Sequence, residues 1–200
     1  MMKIVTKLFL IVITAFNFLN AQEISNEFPK LTGPYLGQKP PGMTPKLFAP
    51  GIVSTGAYEH GSPVFTKDLN EIYWTVNIDR DGRFITRLNY MMKCIDGVWS
   101  KPAIPEMFKE FAFCDYPFIT PDGKRMFFSG SKRMKSTVNE PEREEIYAAE
   151  KRTDGWSKPV CLNLQINLPD CEFFGPTVSQ KGTLYCFASY KVADKHAVLL

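Results

Sequence analysis

One short pattern is written three times in this chain. Pro63-Val64-Phe65-Thr66-Lys67-Asp68, Pro117-Phe118-Ile119-Thr120-Pro121-Asp122-Gly123-Lys124 and Pro176-Thr177-Val178-Ser179-Gln180-Lys181-Gly182 align without gaps, their prolines 54 and 59 residues apart. At one fixed offset each is followed by an apolar stretch: Ile72-Tyr73-Trp74, Met126-Phe127-Phe128 and Tyr185-Cys186-Phe187. Each copy therefore reads as strand, tight turn, strand. A second landmark recurs independently, Val98-Trp99-Ser100-Lys101-Pro102 against Gly155-Trp156-Ser157-Lys158-Pro159, 57 residues apart. Counting back from the tryptophans sets Asn89-Tyr90-Met91-Met92 on Ile146-Tyr147-Ala148-Ala149, a third strand. It also brings Asp96-Gly97 within one place of Asp154-Gly155, a hairpin turn in which Gly supplies the positive φ. The unit is four strands in about 55 residues: A from the proline, B with the aromatic stretch, C around Tyr90 and Tyr147, and D after Trp-Ser-Lys-Pro.

Four-stranded antiparallel units repeated at this period are the blades of a β-propeller, so the expected fold is all-β. Sixteen Phe, eight Tyr and fifteen Pro agree with many short strands joined by turns. The blades are expected at 59–112, 113–171 and 172–200, the last incomplete, with Ala197-Val198-Leu199-Leu200 as its strand C. Two and a half blades cannot close a ring, since propellers use about four to eight. The sequence is therefore expected to be the N-terminal part of a longer protein, six-bladed and monomeric when complete; closure by oligomerisation is the alternative.

Thr120-Pro121-Asp122-Gly123-Lys124-Arg125-Met126-Phe127-Phe128 resembles the Ser/Thr-Pro-Asp-Gly-Lys turn and aromatic strand of the TolB-like, or WD40-like, β-propeller repeat family. Glu145-Ile146-Tyr147 and Asp154-Gly155-Trp156-Ser157-Lys158-Pro159 are similar to that family's outer half-blade. The first copy departs from the turn with Lys67-Asp68-Leu69-Asn70, and the third has Gln180-Lys181-Gly182. The resemblance spans roughly 45–200 and implies a bacterial exported propeller, a fold and not an activity.

Residues 1–21 read as a secretory signal peptide. Lys3 and Lys7 precede the apolar run Leu8 to Phe16, and the small Ala21 follows. The run is about nine residues where a membrane span needs about twenty, so no anchor is expected after its removal and the compartment is periplasmic or extracellular. Residues 22–58 form a Pro/Gly-rich lead-in, in which Phe48 to Thr55 takes the slot of a D strand and is expected to close the ring. A formal charge of +3 leaves no basic surplus for a nucleic-acid partner. Five cysteines at no CxxC spacing, with only His60 and His196 as imidazoles, give no zinc site.

Candidate chemistry is sparse. No Gly-x-Ser-x-Gly elbow occurs, and the Asp-box of sialidases is missing, so no catalytic residue is assigned. Asn77-Ile78-Asp79-Arg80-Asp81-Gly82 has the oxygen spacing of a calcium loop, but Leu88 stands where a bidentate Glu belongs. Asn77, Asp79 and Asp81 are thus the only metal candidates, for Ca2+, against an ordinary Asp-Gly turn. Glu59, Asp115 and Glu172 each lie two to four residues before an A-strand proline. Blade symmetry would bring them, with His60, to one channel face, where an acidic ring would draw cations or basic peptide segments; capping of strand ends is the competing role. Trp99 and Trp156 in identical contexts fit outer-strand packing rather than sugar stacking. The expected function is an exported, non-catalytic module binding a protein, peptide or glycan at its channel face. Its rivals are the propeller of a secreted glycan-processing enzyme or peptidase with catalytic groups beyond Leu200, and a cell-envelope scaffold.

Overall fold

The computed structural model describes residues 27–56, 59–132, 144–162, 171–190 and 198–199. The leader at 1–21, most of the charged insertion between Lys132 and Glu144, and Ala197 and Leu200 lie outside them. The described chain is all-β and its sheets are antiparallel, with helix limited to two short 3-10 turns, Pro34–Gly37 and Glu106–Phe108. Among the described residues no helix is long and apolar enough to cross a membrane.

Strands β1 (Val64–Phe65), β2 (Glu71–Arg80), β3 (Arg83–Ile95) and β4 (Val98–Trp99) make a first meander in that spatial order. The second runs β5 (Phe111–Ile119), β6 (Arg125–Lys132), β7 (Glu145–Arg152) and β8 (Gly155–Trp156), with β9 (Val160–Cys161) also on β7. The third is β10 (Cys171–Val178), β11 (Leu184–Tyr190) and β12 (Val198–Leu199). Val198 and Leu199 pair with Ala188 and Phe187, the neighbour expected for a strand C.

The repeated motifs close the same hydrogen bonds in successive sheets. In the turn before β2, Thr66 Oγ1 donates to Asp68 Oδ1 at 2.6 Å and accepts from Glu71 N–H at 3.0 Å. Before β6, Thr120 Oγ1 donates to Asp122 Oδ1 at 2.6 Å and accepts from Arg125 N–H at 3.0 Å. One threonine and one aspartate thus satisfy backbone groups that a tight turn would otherwise leave open. Trp-Ser-Lys-Pro works the same way. The Ser100 hydroxyl accepts from Lys93 N–H at 3.1 Å and donates to Lys101 C=O at 3.0 Å; the Ser157 hydroxyl accepts from Glu150 N–H at 3.0 Å and donates to Lys158 C=O at 3.2 Å. The serine stands in for a backbone partner where the outer strand breaks before proline.

The turn also needs one left-handed residue, Leu69 at φ 58° in the first copy and Gly123 at φ 76° in the second. At Gly123 a Cβ would also sit 3.1 Å from Lys67 Cβ on the neighbouring turn. Gly123→Ala is therefore expected to lower stability by about 1–2 kcal/mol, read as a fall in urea midpoint without change in slope.

Alternation along the strands turns both faces of the first and second sheets into packing surfaces. Ile72, Trp74 and Met92 face the lead-in residues Leu36, Ala49 and Val53 in one core. Tyr73 faces the other way and joins Phe108, Phe111, Cys114, Met126, Phe128 and Tyr147 between the first and second sheets. Phe127 and Ile146, on the opposite face of the second sheet, pack with Cys171, Phe173, Val178 and Ala188 of the third. The order is lead-in, first sheet, second sheet, third sheet. Each tryptophan of the repeated motif bonds to the layer before its own: Trp99 Nε1 donates to Gly33 C=O at 2.7 Å and Trp156 Nε1 to Tyr73 Oη at 2.9 Å. Glu71 strengthens the second seam, taking Tyr73 O–H at 2.9 Å and Lys151 Nζ at 2.8 Å. The cysteines lie in strands, Cys94 on β3, Cys114 on β5, Cys161 on β9, Cys171 on β10 and Cys186 on β11. Cys114 is buried, and burial pushes its thiol up to about 12.

Two local features differ from the sequence reading. Residues 48–55 form a turn, not an extended outer strand: Ala49 and Gly51 have positive φ, Val53 N–H returns to Ala49 C=O at 2.9 Å, and Gln38 clasps the segment through Leu47 C=O and Ala49 N–H. Burying Ala49 and Val53 on the first sheet is what holds it there. The second and third A strands also begin well before their prolines, at Phe111 and Cys171, whereas the first starts after Pro63. Register shifts between Asp115 and Phe118, and between Phe174 and Thr177, absorb Tyr116 at φ 48° and Gly175 at φ 63°. A bulge lets pairing resume on both sides of a residue that cannot join the ladder.

Candidate functional site

The surface that β2 and β3 turn towards the second sheet changes from apolar to polar along its length. Tyr73 pairs with Met91, then Thr75 with Asn89, then Asn77 with Arg87. Opposite the polar end runs β5, where the early strand start carries Asp115 into the seam between sheets instead of onto a solvated strand end. Asp115 is 0% exposed, while the side chains of His60, Arg87 and Glu144 keep 21%, 22% and 14% of their surface. The cluster is rooted in the interior and opens at its rim.

Arg87 binds Asp115 through Nη1 to Oδ2 at 2.7 Å and stands 3.7 Å from Glu144 Oε2 through Nη2. Its guanidinium lies over the Phe113 ring, 5.2 Å from the centroid. Thr86 Oγ1 donates to Ala112 C=O at 2.7 Å beside it, tying β3 to β5. His60 is fixed from its backbone, N–H to Thr75 C=O at 3.2 Å. Its Nδ1 lies 3.4 Å from Asp115 Oδ2 and 3.5 Å from Arg87 Nη1, and its Nε2 is 3.1 Å from the Tyr116 hydroxyl. The carboxylate favours a proton on Nδ1, which leaves Nε2 to accept from Tyr116. The two rings are 4.6 Å apart.

Burial, then the Arg87 charge, holds the His60 imidazole below its ordinary value, so it is neutral at pH 7. Burial raises Asp115, with Arg87 opposing. Glu144 goes up to about 8, from burial and then the facing Asp115 charge, with Arg87 again opposing and Glu172 adding repulsion. Each carboxyl of the pair thus disfavours the ionisation of the other.

Tyr116 is a non-glycine residue held at φ 48° directly before proline, a conformation that costs about 1–2 kcal/mol. Gly175 sits at the equivalent place in the third sheet with φ 63°, which is the residue the backbone favours. The second sheet keeps a tyrosine there, and its hydroxyl reaches His60. Strain retained where a simpler residue would relieve it points to use of the side chain.

Of the residues nominated from sequence, His60 and Asp115 meet, and Glu172 acts on Glu144 through its charge. Glu59 does not join them: its carboxylate accepts from Thr55 N–H at 2.7 Å and Thr55 Oγ1 at 3.0 Å, the capping role, and this holds it below the ordinary carboxylate range despite the opposing effect of burial. Asn77 and Asp79 lie on β2, and Asp81 and Gly82 make the two-residue turn to β3 with φ 53° and 71°. Among the described residues no three His, Cys, Asp or Glu side chains are grouped to hold a metal ion. Arg87, Tyr116 and Glu144 were missed. The visible signal for Arg87 was the polar pair Arg87 and Asn89 at alternate positions between the apolar Ile85 and Met91 of β3; Glu144 closes a charged insertion and carries no signal of its own.

Comparison with protein-family models, with curated proteins and with solved structures gave no match.

Proposed function

We propose that the three sheets are blades of an exported β-propeller of the TolB-like, WD40-like kind, and that the rim holding His60, Arg87, Asp115, Tyr116 and Glu144 binds a protein, peptide or glycan ligand without catalysing a reaction on it. The blade reading is supported by the repeated Thr-Asp turns, the repeated Trp-Ser-Lys-Pro bonds and the face-to-face order of the sheets. The binding role rests chiefly on Tyr116, a strained side chain aimed at a histidine on the rim of a buried charge cluster. Export and a periplasmic or extracellular address follow from the leader pattern alone.

Tyr116→Gly separates the roles. Relief of backbone strain offsets the lost ring packing, so stability should stay within about 1 kcal/mol of the parent. Binding on a peptide and glycan array should fall at least roughly tenfold, and His60→Ala should match it. Array binding unchanged in both variants, or none by the parent protein, would overturn the reading.

A further inference from the structure

The first and second sheets are built alike on the face that meets the next layer. Glu71 and Arg125 each open the strand after the Thr-Asp turn, bonded through N–H to Thr66 and Thr120. Glu71 pairs with Lys93 and Tyr73 with Met91, as Arg125 pairs with Glu150 and Phe127 with Ala148; Ala103 bridges Met91 where Val160 pairs with Ala148. On the first sheet this place is filled. Trp156 of β8 donates from Nε1 to Tyr73 Oη at 2.9 Å, and Lys151, facing it across the hairpin, reaches Glu71 Oε2 at 2.8 Å with its ammonium 4.8 Å from the indole centroid.

On the second sheet the corresponding place is a cavity of about 410 Å³. The third sheet covers part of the face with Phe173, Val178 and Ala188. Phe127, Ala148, Val160 and Leu162 give the cavity an apolar wall, on which Val160 remains 65% exposed. Around it stand Arg125, Arg152 and Lys158, with Glu150 as the one carboxylate among the lining residues. The charges are the reverse of the first sheet, which offers Glu71 with a lysine opposite. Asp122 feels the Arg125 charge from the turn, but its Oδ1 already accepts from Thr120 Oγ1 and Lys124 N–H. Lys158 stands 3.9 Å from Glu110, and among the described residues neither Arg125 nor Arg152 forms an ion pair.

We propose that this cavity binds a hairpin segment of a partner protein through an aromatic side chain, set on Phe127, and a carboxylate on the facing strand, paired with Arg125 and Arg152. The site lies on the face of the second sheet turned to the third and does not rest on the binding role of the His60 rim. A ring takes the apolar wall out of water, as Trp156 does for Tyr73 one layer earlier. A carboxylate beside it meets two guanidinium groups in charge-assisted hydrogen bonds. A lysine in that position, which suits Glu71, would face Arg125 and be repelled, so the same charge that attracts the right segment excludes the wrong one.

The test is an amide-resolved NMR titration of the 200-residue protein with hairpin peptides closed by a terminal disulfide. They carry the chain's own turn at 151–156 with glutamate in the lysine's place, Cys-Glu-Arg-Thr-Asp-Gly-Trp-Cys, or with the lysine kept, or with glutamate and with alanine for tryptophan. The glutamyl-tryptophan peptide should shift the amides of Phe127, Ala148 and Val160 and bind at least roughly tenfold tighter than either control. Arg125→Glu with Glu150→Lys writes the first sheet's charges onto the second at two exposed positions and should turn the preference to the lysyl peptide. Arg125→Gln serves if the double variant fails to fold, and should narrow the preference at least roughly threefold. Equal binding of the glutamyl and lysyl peptides by the parent protein, binding of neither, or shifts confined to the His60 rim would overturn the inference.

Discussion

Arg87→Met should destabilise the protein by about 3–5 kcal/mol at pH 8 and by much less at pH 5. The guanidinium is the 2.7 Å partner of a carboxylate that has no exposed surface, and its removal leaves that charge in the interior. The carboxyl can escape only by keeping its proton, so its folded-state value, already raised by burial, climbs further. The unfolded chain ionises it near pH 4. A carboxyl raised in the folded state binds more protons folded than unfolded, so stability is highest at low pH and falls as pH rises towards the raised value. Denaturant titrations at the two pH values check the sign, and adding Asp115→Asn should recover much of the loss at pH 8. An equal loss at both pH values would show that Arg87 acts through the stacking of its guanidinium on Phe113, not through its pairing with Asp115.

Phe128→Ala should cost about 3–5 kcal/mol at any pH. Phe128 has no exposed surface and meets Phe108 and Phe111 edge-on, at 4.9 and 5.2 Å between centroids, while stacking on Tyr147 at 5.6 Å. Three aromatic partners fixed in different directions cannot collapse into the space together, so the cavity persists. The void opens in the seam between the first and second sheets, and amide exchange should accelerate in β2 and β3 as well as in β6. Acceleration confined to β6 would mean that the sheets unfold independently.

These two expectations rest on different kinds of legibility. Phe128 could be named from its place after Thr120-Pro121-Asp122-Gly123, because a strand following such a turn alternates faces and a half-buried aromatic strand sends one face inward. Which face was buried against which sheet needed the stacking order. Asp115 was nominated from its spacing before a proline and His60 from its place just before the first A strand, and they meet. Glu59, chosen by the same rule, caps Thr55 instead, since four residues of chain let it bend back on its own loop. Phe48 to Thr55 looked like a strand by count, yet Ala49 and Gly51 turn the backbone.

The amino-acid order by itself determined the all-β class and the tight turns before β2 and β6. Thr66 with Asp68, Thr120 with Asp122 and each Trp-Ser-Lys-Pro satisfy backbone groups a few residues away, and such short-range bonds are written in local spelling. Tertiary structure alone decided that Arg87 of β3, Asp115 of β5 and Glu144 before β7 share one seam. Their encounter depends on a bulge at Tyr116 and on the packing of the second sheet against the first, and the charges shift one another only across that small distance.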